Sequence, residues 1–281
     1  MQNILVPTDF SNNAYHALCY ASELFGNRTC TFFLLNVYTE KKGFSGKSID
    51  DDIASVSDTL REKSNARLAQ TLDKIKKKKP DLKHSYELIS EPADLIKVIN
   101  QLVEKMEIDL IVMGNKGKKS SIPVYLGSSA TKTLASIKKC PVLLVPKNAE
   151  CNPTKKIALA TDYKNCFNTL LIDPLIFVAQ LCEASIHILH IDTKKKLDDL
   201  QKSNLKALTT CLEPFSISFD SMPDFISKTK LIQLFLEDSD IDLLVMINNE
   251  HGFLEKMLRE PIIEKMVFNI DIPFLVIPEN P

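Results

Sequence analysis

The 281 residues hold only seven glycines and no tryptophan, and carry no excess of charge of either sign. Lys and Arg number 35 against 36 Asp and Glu, for a net charge of −1. Dedicated nucleic-acid binders usually carry a basic excess to meet phosphate, so none is expected here. No apolar run reaches the roughly 18 residues that span a bilayer, so no membrane partner is expected. The opening Met1-Gln2-Asn3-Ile4-Leu5-Val6-Pro7 lacks the basic segment and apolar core of a signal peptide, and the expected location is the cytoplasm. The seven cysteines (Cys19, Cys30, Cys140, Cys151, Cys166, Cys182 and Cys211) include no Cys-x-x-Cys pair. An odd number of thiols in a chain of this length reads as reduced and structural. Hydrophobic residues at 44% and charged residues at 25% are ordinary for a globular protein and exclude a disordered or fibrous one. The length suits one large domain or two ordinary ones.

Internal similarity decides between those two. Asn3-Ile4-Leu5-Val6-Pro7-Thr8-Asp9-Phe10 returns as Lys156-Ile157-Ala158-Leu159-Ala160-Thr161-Asp162-Tyr163, an offset of 153 (162 − 9). Leu34-Leu35-Asn36-Val37 returns as Ile188-Leu189-His190-Ile191, an offset of 154 (190 − 36). Ile108–Met113 returns as Ile241–Met246 at 133 (246 − 113), and Pro141–Pro146 as Pro273–Pro278 at 132 (273 − 141). Four matches in one order imply two copies of one unit, with about 21 residues (154 − 133) missing from the second copy after its second strand. The polar stretch 147–154, with Pro153, suits the join. The expected domains are therefore 1–148 and 152–281.

Each copy alternates strand-like and helix-like segments. In the first, strands are expected at 3–7, 31–37, 83–89, 109–113 and 142–145. A helix follows Ser11, which can cap it, with Ala14, Leu18, Ala21 and Leu24 at helical spacing. A long charged helix is expected over 51–79, one over 92–105 with Pro92 in its first turn, and one over 128–137. This alternation predicts an α/β fold: two tandem doubly wound, Rossmann-like domains, each a five-stranded parallel sheet flanked by helices. Ligands of such sheets bind beyond the carboxyl ends of the strands, where the winding direction switches.

Three of the scarce glycines, Gly114, Gly117 and Gly127, fall between the fourth strand and the next helix. Glycine permits positive φ and lets a ligand approach the backbone. Main-chain amides in such a turn can converge on an anion. Ser128 opens the predicted helix, where unpaired amides and the helix dipole favour phosphate, and Ser129 adds a second hydroxyl. Lys116, Lys118 and Lys119 add positive charge to the same segment. Asp9 ends the first strand and can accept from a ribose hydroxyl or a base amino group, or can turn the chain into its helix. Val37, after the second strand, can wall a base.

The order Pro7-Thr8-Asp9, then Asn36-Val37, then Met113-Gly114-x2-Gly117-x9-Gly127-Ser128 resembles the nucleotide-binding class of universal stress proteins. The resemblance runs over nearly the whole chain as two tandem copies. It implies the adenine nucleotide alpha hydrolase-like form of the α/β fold, with fifth strands pairing. It implies ATP, or ADP or AMP, as ligand, with or without Mg²⁺. Carried over by position, Asp9 and Val37 would meet base and ribose, and Pro7 and Thr8 would join them as nucleotide-binding residues. Met113 and Gly114 would flank ribose and phosphates, and Lys116, Gly117, Gly127, Ser128, Ser129 and Ala130 would surround the phosphates.

The second copy departs from the motif. Ile247 stands where Gly114 would be, the Gly-Ser pair is missing, and Glu250 and Glu260 put negative charge where phosphates would lie. No nucleotide is expected there. His190 and His251 have no second ligand pair at metal-binding spacing and read as polar loop residues. The strand over 274–277 would be an exposed apolar edge unless paired with 142–145 of the first copy within one chain. Whole-chain homodimers stay open.

Three functions fit. A nucleotide-binding regulatory protein of the stress response is favoured. A slow ATPase or phosphotransferase would need a positioned base and usually a Mg²⁺ ligand, and Asp9 is the single carboxylate the motif offers. A structural module with an empty pocket is the third. No catalytic and no metal-ligating residue is assigned.

Overall fold

A computed structural model describes residues 2–39, 50–115, 127–150, 152–192, 196–223, 228–248 and 271–279. The first repeat runs β1 (Gln2–Pro7), α1 (Asn12–Leu24), β2 (Cys30–Val37), α2 (Asp50–Lys78), β3 (Ser85–Glu91), α3 (Leu95–Lys105), β4 (Leu110–Gly114), α4 (Ser128–Ser136) and β5 (Val142–Val145). The second runs β6 (Lys156–Thr161), α5 (Thr169–Cys182), β7 (Ser185–Asp192), α6 (Asp199–Leu212), β8 (Ile217–Pro223), α7 (Lys228–Asp238), β9 (Leu243–Asn248) and β10 (Phe274–Pro278).

The strands among the described residues form one ten-stranded sheet in the order β3-β2-β1-β4-β5-β10-β9-β6-β7-β8. Pairing is parallel within each repeat. It is antiparallel at the seam, where Phe274 faces Leu144, Leu275 faces Leu143 and Val276 faces Val142. Both seam strands are buried from end to end, as continuous apolar runs in sheet interiors must be. One apolar cluster on each side of the sheet spans both repeats, which makes the core continuous across the seam.

The repeat extends to details of the backbone. Phe10 and Tyr163, one residue after the paired aspartates, both take left-handed φ, at 60° and 55°. Glu107 and Asp240, ahead of β4 and β9, match in the same way at 47° and 52°. Such angles strain any residue but glycine, so their recurrence marks a turn that the fold itself imposes. The first pair is braced locally: the hydroxyls of Thr8 and Thr161 accept from the amides of Phe10 and Tyr163, both at 3.0 Å.

One helix expectation changes. α3 begins at Leu95 rather than Pro92, because the Asp94 carboxylate accepts from the amides of Ile96 and Lys97 and fixes the start there. At the basic end of α2, Lys74 lies 3.9 Å from the centre of the Tyr15 ring, and just beyond the helix Lys79 pairs with Glu23. The residues missing from the second repeat shorten its helix, α6 having 14 residues against 29 in α2.

Candidate functional site

The winding direction reverses between β1 and β4, and a cleft of about 200 Å³ opens beyond their carboxyl ends. Pro7, Thr8, Asp9, Val37, Met113, Gly114, Gly127, Ser129 and Ala130 line it together. Residues that lie up to 123 positions apart (130 − 7) therefore share one surface. Ser128 stands at the exposed first position of α4 and does not line the cleft. Lys116 and Gly117, with Lys118 and Lys119, lie outside the described residues, as do Glu250, His251 and Glu260 of the second repeat.

Sequence reasoning missed Ala14, Asn36 and Leu95, which complete the lining. Asn36 had a signal: it stands where the second repeat has His190. The Asn36 amide donates to the Thr8 carbonyl at 2.7 Å, and His190 Nδ1 donates to the Thr161 carbonyl at 3.1 Å. One job is thus done by two chemistries, and His190 is a brace rather than a loop residue. Asn36 is in turn held from behind. Its Oδ1 accepts from the Ser64 hydroxyl of α2 at 2.8 Å, and Ser64 accepts from Ser90 of β3 at 2.7 Å. Buried polar groups in such a chain are each satisfied, which makes the lip of the cleft rigid.

Asp9 has a structural duty as well as an exposed position. Its Oδ1 accepts from the Ser11 amide at 2.9 Å, while the Ser11 hydroxyl caps α1 by accepting from Ala14 at 3.1 Å. Phe10 is covered by the Arg67 guanidinium, 4.1 Å from its ring centre.

Gly114 acts through space rather than through an unusual angle. A β-carbon on Gly114 would lie 2.6 Å from Asn13 Nδ2 and 3.1 Å from the Asn13 backbone carbon. Close packing of α1 against β4 therefore requires glycine there. Gly127 has φ −61° and serves as the N-cap of α4 with no side-chain hydrogen bond to the helix start. Its own amide donates to the Asn115 carbonyl at 2.6 Å, which ties the two ends of the connection together. The first amides of α4 lack an intrahelical acceptor, as at any helix start, and the glycine cap offers them no side chain. Here they adjoin the cleft, with a helix dipole whose positive end points the same way.

Among the described residues, the second repeat puts larger side chains at the equivalent positions. Its helix α5 starts at Thr169, four residues later than the offset of 153 places it (169 − 153 = 16, against Asn12). That retreat leaves Cys166, the counterpart of Asn13, exposed and admits the Ile247 side chain at the Gly114 position, 5% exposed. Phe167 replaces Ala14 and is likewise buried. The carbonyls of Thr161, Asp162 and Tyr163 are each held by a side chain, from His190, Gln201 and Asn204. Tyr163 stacks on His190 with ring centres 4.6 Å apart, and burial pushes its phenol up to about 12. The turn that lines a cleft in the first repeat is a packed, cross-linked core element in the second.

No curated protein sequence matches the chain. Among solved structures, a universal stress protein from Archaeoglobus fulgidus DSM 4304 is 18% identical, with 98% of this chain and 96% of that one covered and a TM-score of 0.67. A protein of unknown function from Pseudomonas aeruginosa PAO1 is 16% identical over 99% and 92%, with a TM-score of 0.53. The cytoplasmic domain of a prokaryotic cation chloride cotransporter is 9% identical over 99% and 96%, with a TM-score of 0.56. At these identities the likeness is one of fold, and proteins of different roles share it. The family model described as "Universal stress protein family" matches residues 1–146, more than half of the chain, and the chain belongs to that family.

Proposed function

We propose that the cleft between β1 and β4 binds ATP or a related adenine nucleotide, ADP or AMP, and that the protein is a nucleotide-dependent regulator of the stress response. The observation that carries this reading is the start of α4. It begins at a glycine cap without a side-chain acceptor, beside a cleft at the switch point of the sheet. Anion-binding amides and an apolar slot between Val37, Leu95 and Met113 are the two halves of a nucleotide site: one for phosphate, one for a base. Thr8 and Asp9 lie at the lip, where a ribose would pass. Lys116 and Gly117 would complete the phosphate end, and Mg²⁺ would there neutralise phosphate charge. Asp9 is the single titratable side chain among the described lining residues, and it is bonded to the Ser11 amide. Regulation by binding thus has more support than turnover.

The two repeats, 1–148 and 152–281, would act as one unit. The β5–β10 seam occupies within a single chain the edge that would otherwise pair two chains.

Mass spectrometry of the supernatant from denatured, purified protein should find an adenine nucleotide. Titration with ATP, ADP and AMP should show saturable binding that Gly117→Glu abolishes. Equal affinity in wild type and Gly117→Glu would remove the assignment. Turnover of ATP that Asp9→Ala eliminates would replace the regulatory reading with the enzymatic one.

A further inference from the structure

The helix that opens onto the cleft is held at its two ends by equivalent residues from different repeats. Asn115 follows β4 and Asn248 ends β9, and the two occupy the same place in the repeat (248 − 115 = 133). At the start of α4, the Asn115 carbonyl accepts the Gly127 amide at 2.6 Å. At its end, the Asn248 amide donates to the Leu134 carbonyl at 2.8 Å, across the seam. That carbonyl is among the last four of a helix ending at Ser136, which have no acceptor-satisfying amide within the helix. Ile137 supplies an amide to Thr133, and Asn248 supplies one to Leu134. Both Leu134 and Asn248 are buried, so no water replaces the bond if it is lost.

We propose that Asn248 is a positioning residue for the cleft of the other repeat. The C-terminal repeat caps α4 from outside and so fixes the helix whose first amides face the phosphate end of the site. The inference rests on the nucleotide reading of that cleft. Its physical basis is the length of α4. A helix of nine residues has few internal hydrogen bonds and is unstable alone, so its pose depends on its anchors. Releasing the far end lets the whole helix fray or tilt, and the amides at the near end move with it. The second repeat buries Ile247 and Phe167 where the first has Gly114 and Ala14, yet the position after Ile247 keeps a polar side chain turned toward its neighbour.

The test uses the full chain with Asn248→Asp, which keeps the shape and removes the donor, and Asn248→His, which restores a donor of similar reach. Histidine is chosen because His190 already replaces Asn36 in the same task within this molecule. ATP affinity should fall about tenfold in Asn248→Asp, the loss expected for one buried hydrogen bond, while adenosine affinity stays within about twofold. Asn248→His should recover most of the ATP affinity. A merely structural defect would weaken both ligands alike, and that result overturns the proposal. Hydrogen exchange without ligand gives an independent reading: the amides of 131–136 should exchange faster in Asn248→Asp, and unchanged exchange overturns the proposal. If wild type binds none of ATP, ADP and AMP, the nucleotide reading falls, and the exchange result alone decides whether Asn248 holds α4. Should Asn248→Asp not fold, Asn248→Ser, which is too short to reach, takes its place in both measurements.

Discussion

Asn13 stands where a side chain on residue 114 would have to go: a β-carbon on Gly114 would lie 2.6 Å from its amide nitrogen. The same amide donates to Asn115 Oδ1 at 3.2 Å, so it cannot swing away without breaking a buried bond. Gly114→Ala should therefore destabilise the protein by about 1–3 kcal/mol, the usual cost of an added methyl in a filled site. Urea melts would show it as a lower midpoint at unchanged slope. Asn13→Ala in the same chain should recover part of the loss, because it removes the atoms that the new methyl meets. A Gly114→Ala protein as stable as wild type would mean that α1 does not pack as closely as described.

Alkaline pH should expose three buried acids. Burial pushes the Cys140 thiol far above its ordinary value of 9.0, lifts Cys30 from 9.0 to about 11, and lifts Tyr163 from 10.0 to about 12. In each case the folded chain keeps the proton longer than the unfolded one. Their contribution is complete below pH 9 and is lost as pH climbs through 9 to 12. Each group adds at most about 1.4 kcal/mol of lost stability per pH unit in that window. Urea midpoints at pH 8, 9, 10 and 11 would trace the decline. Cys30→Ala combined with Cys140→Ala should flatten it, whatever the double variant costs in packing. A slope identical to wild type would show that the thiols are not the cause.

The seam should tolerate no charge. Leu275 faces Leu143 across the antiparallel pair, and both are buried. Leu275→Lys would place an ammonium there without a partner, an error that costs about 3–5 kcal/mol. Thermal melting should drop or the chain should fail to fold, and Leu275→Met, of similar volume, should be nearly neutral. A fully stable Leu275→Lys protein would mean that β5 and β10 do not meet as paired strands.

Much of the site was readable because it is local in sequence. Pro7-Thr8-Asp9 and Met113-Gly114 are strand ends, and strand ends announce themselves by an apolar run that stops. Alternation of strands and helices then brings those ends to one side of the sheet, so Asp9 and Gly114 fall together without further information. Asn36, Ala14 and Leu95 were not readable in this way. Each looks like ordinary helix or strand sequence, and each reaches the cleft only through the way its element packs. A second duty of Gly114 was hidden for the same reason: besides lining the cleft it packs against Asn13, about a hundred residues earlier.

By itself, the sequence determined the repeat, the parallel α/β units and the loss of the glycine motif from the second copy. All three depend on apolar periodicity and on spacing along the chain, which need no partner to be read. The tertiary structure alone decided which helix end meets which carbonyl. Ser64 behind Asn36, Gln201 on Asp162 and Asn248 on Leu134 are bonds between residues 28 to 114 positions apart. A side-chain amide or hydroxyl carries no mark of its acceptor; only folding, by taking both groups out of water, makes one particular pairing the cheapest way to satisfy them.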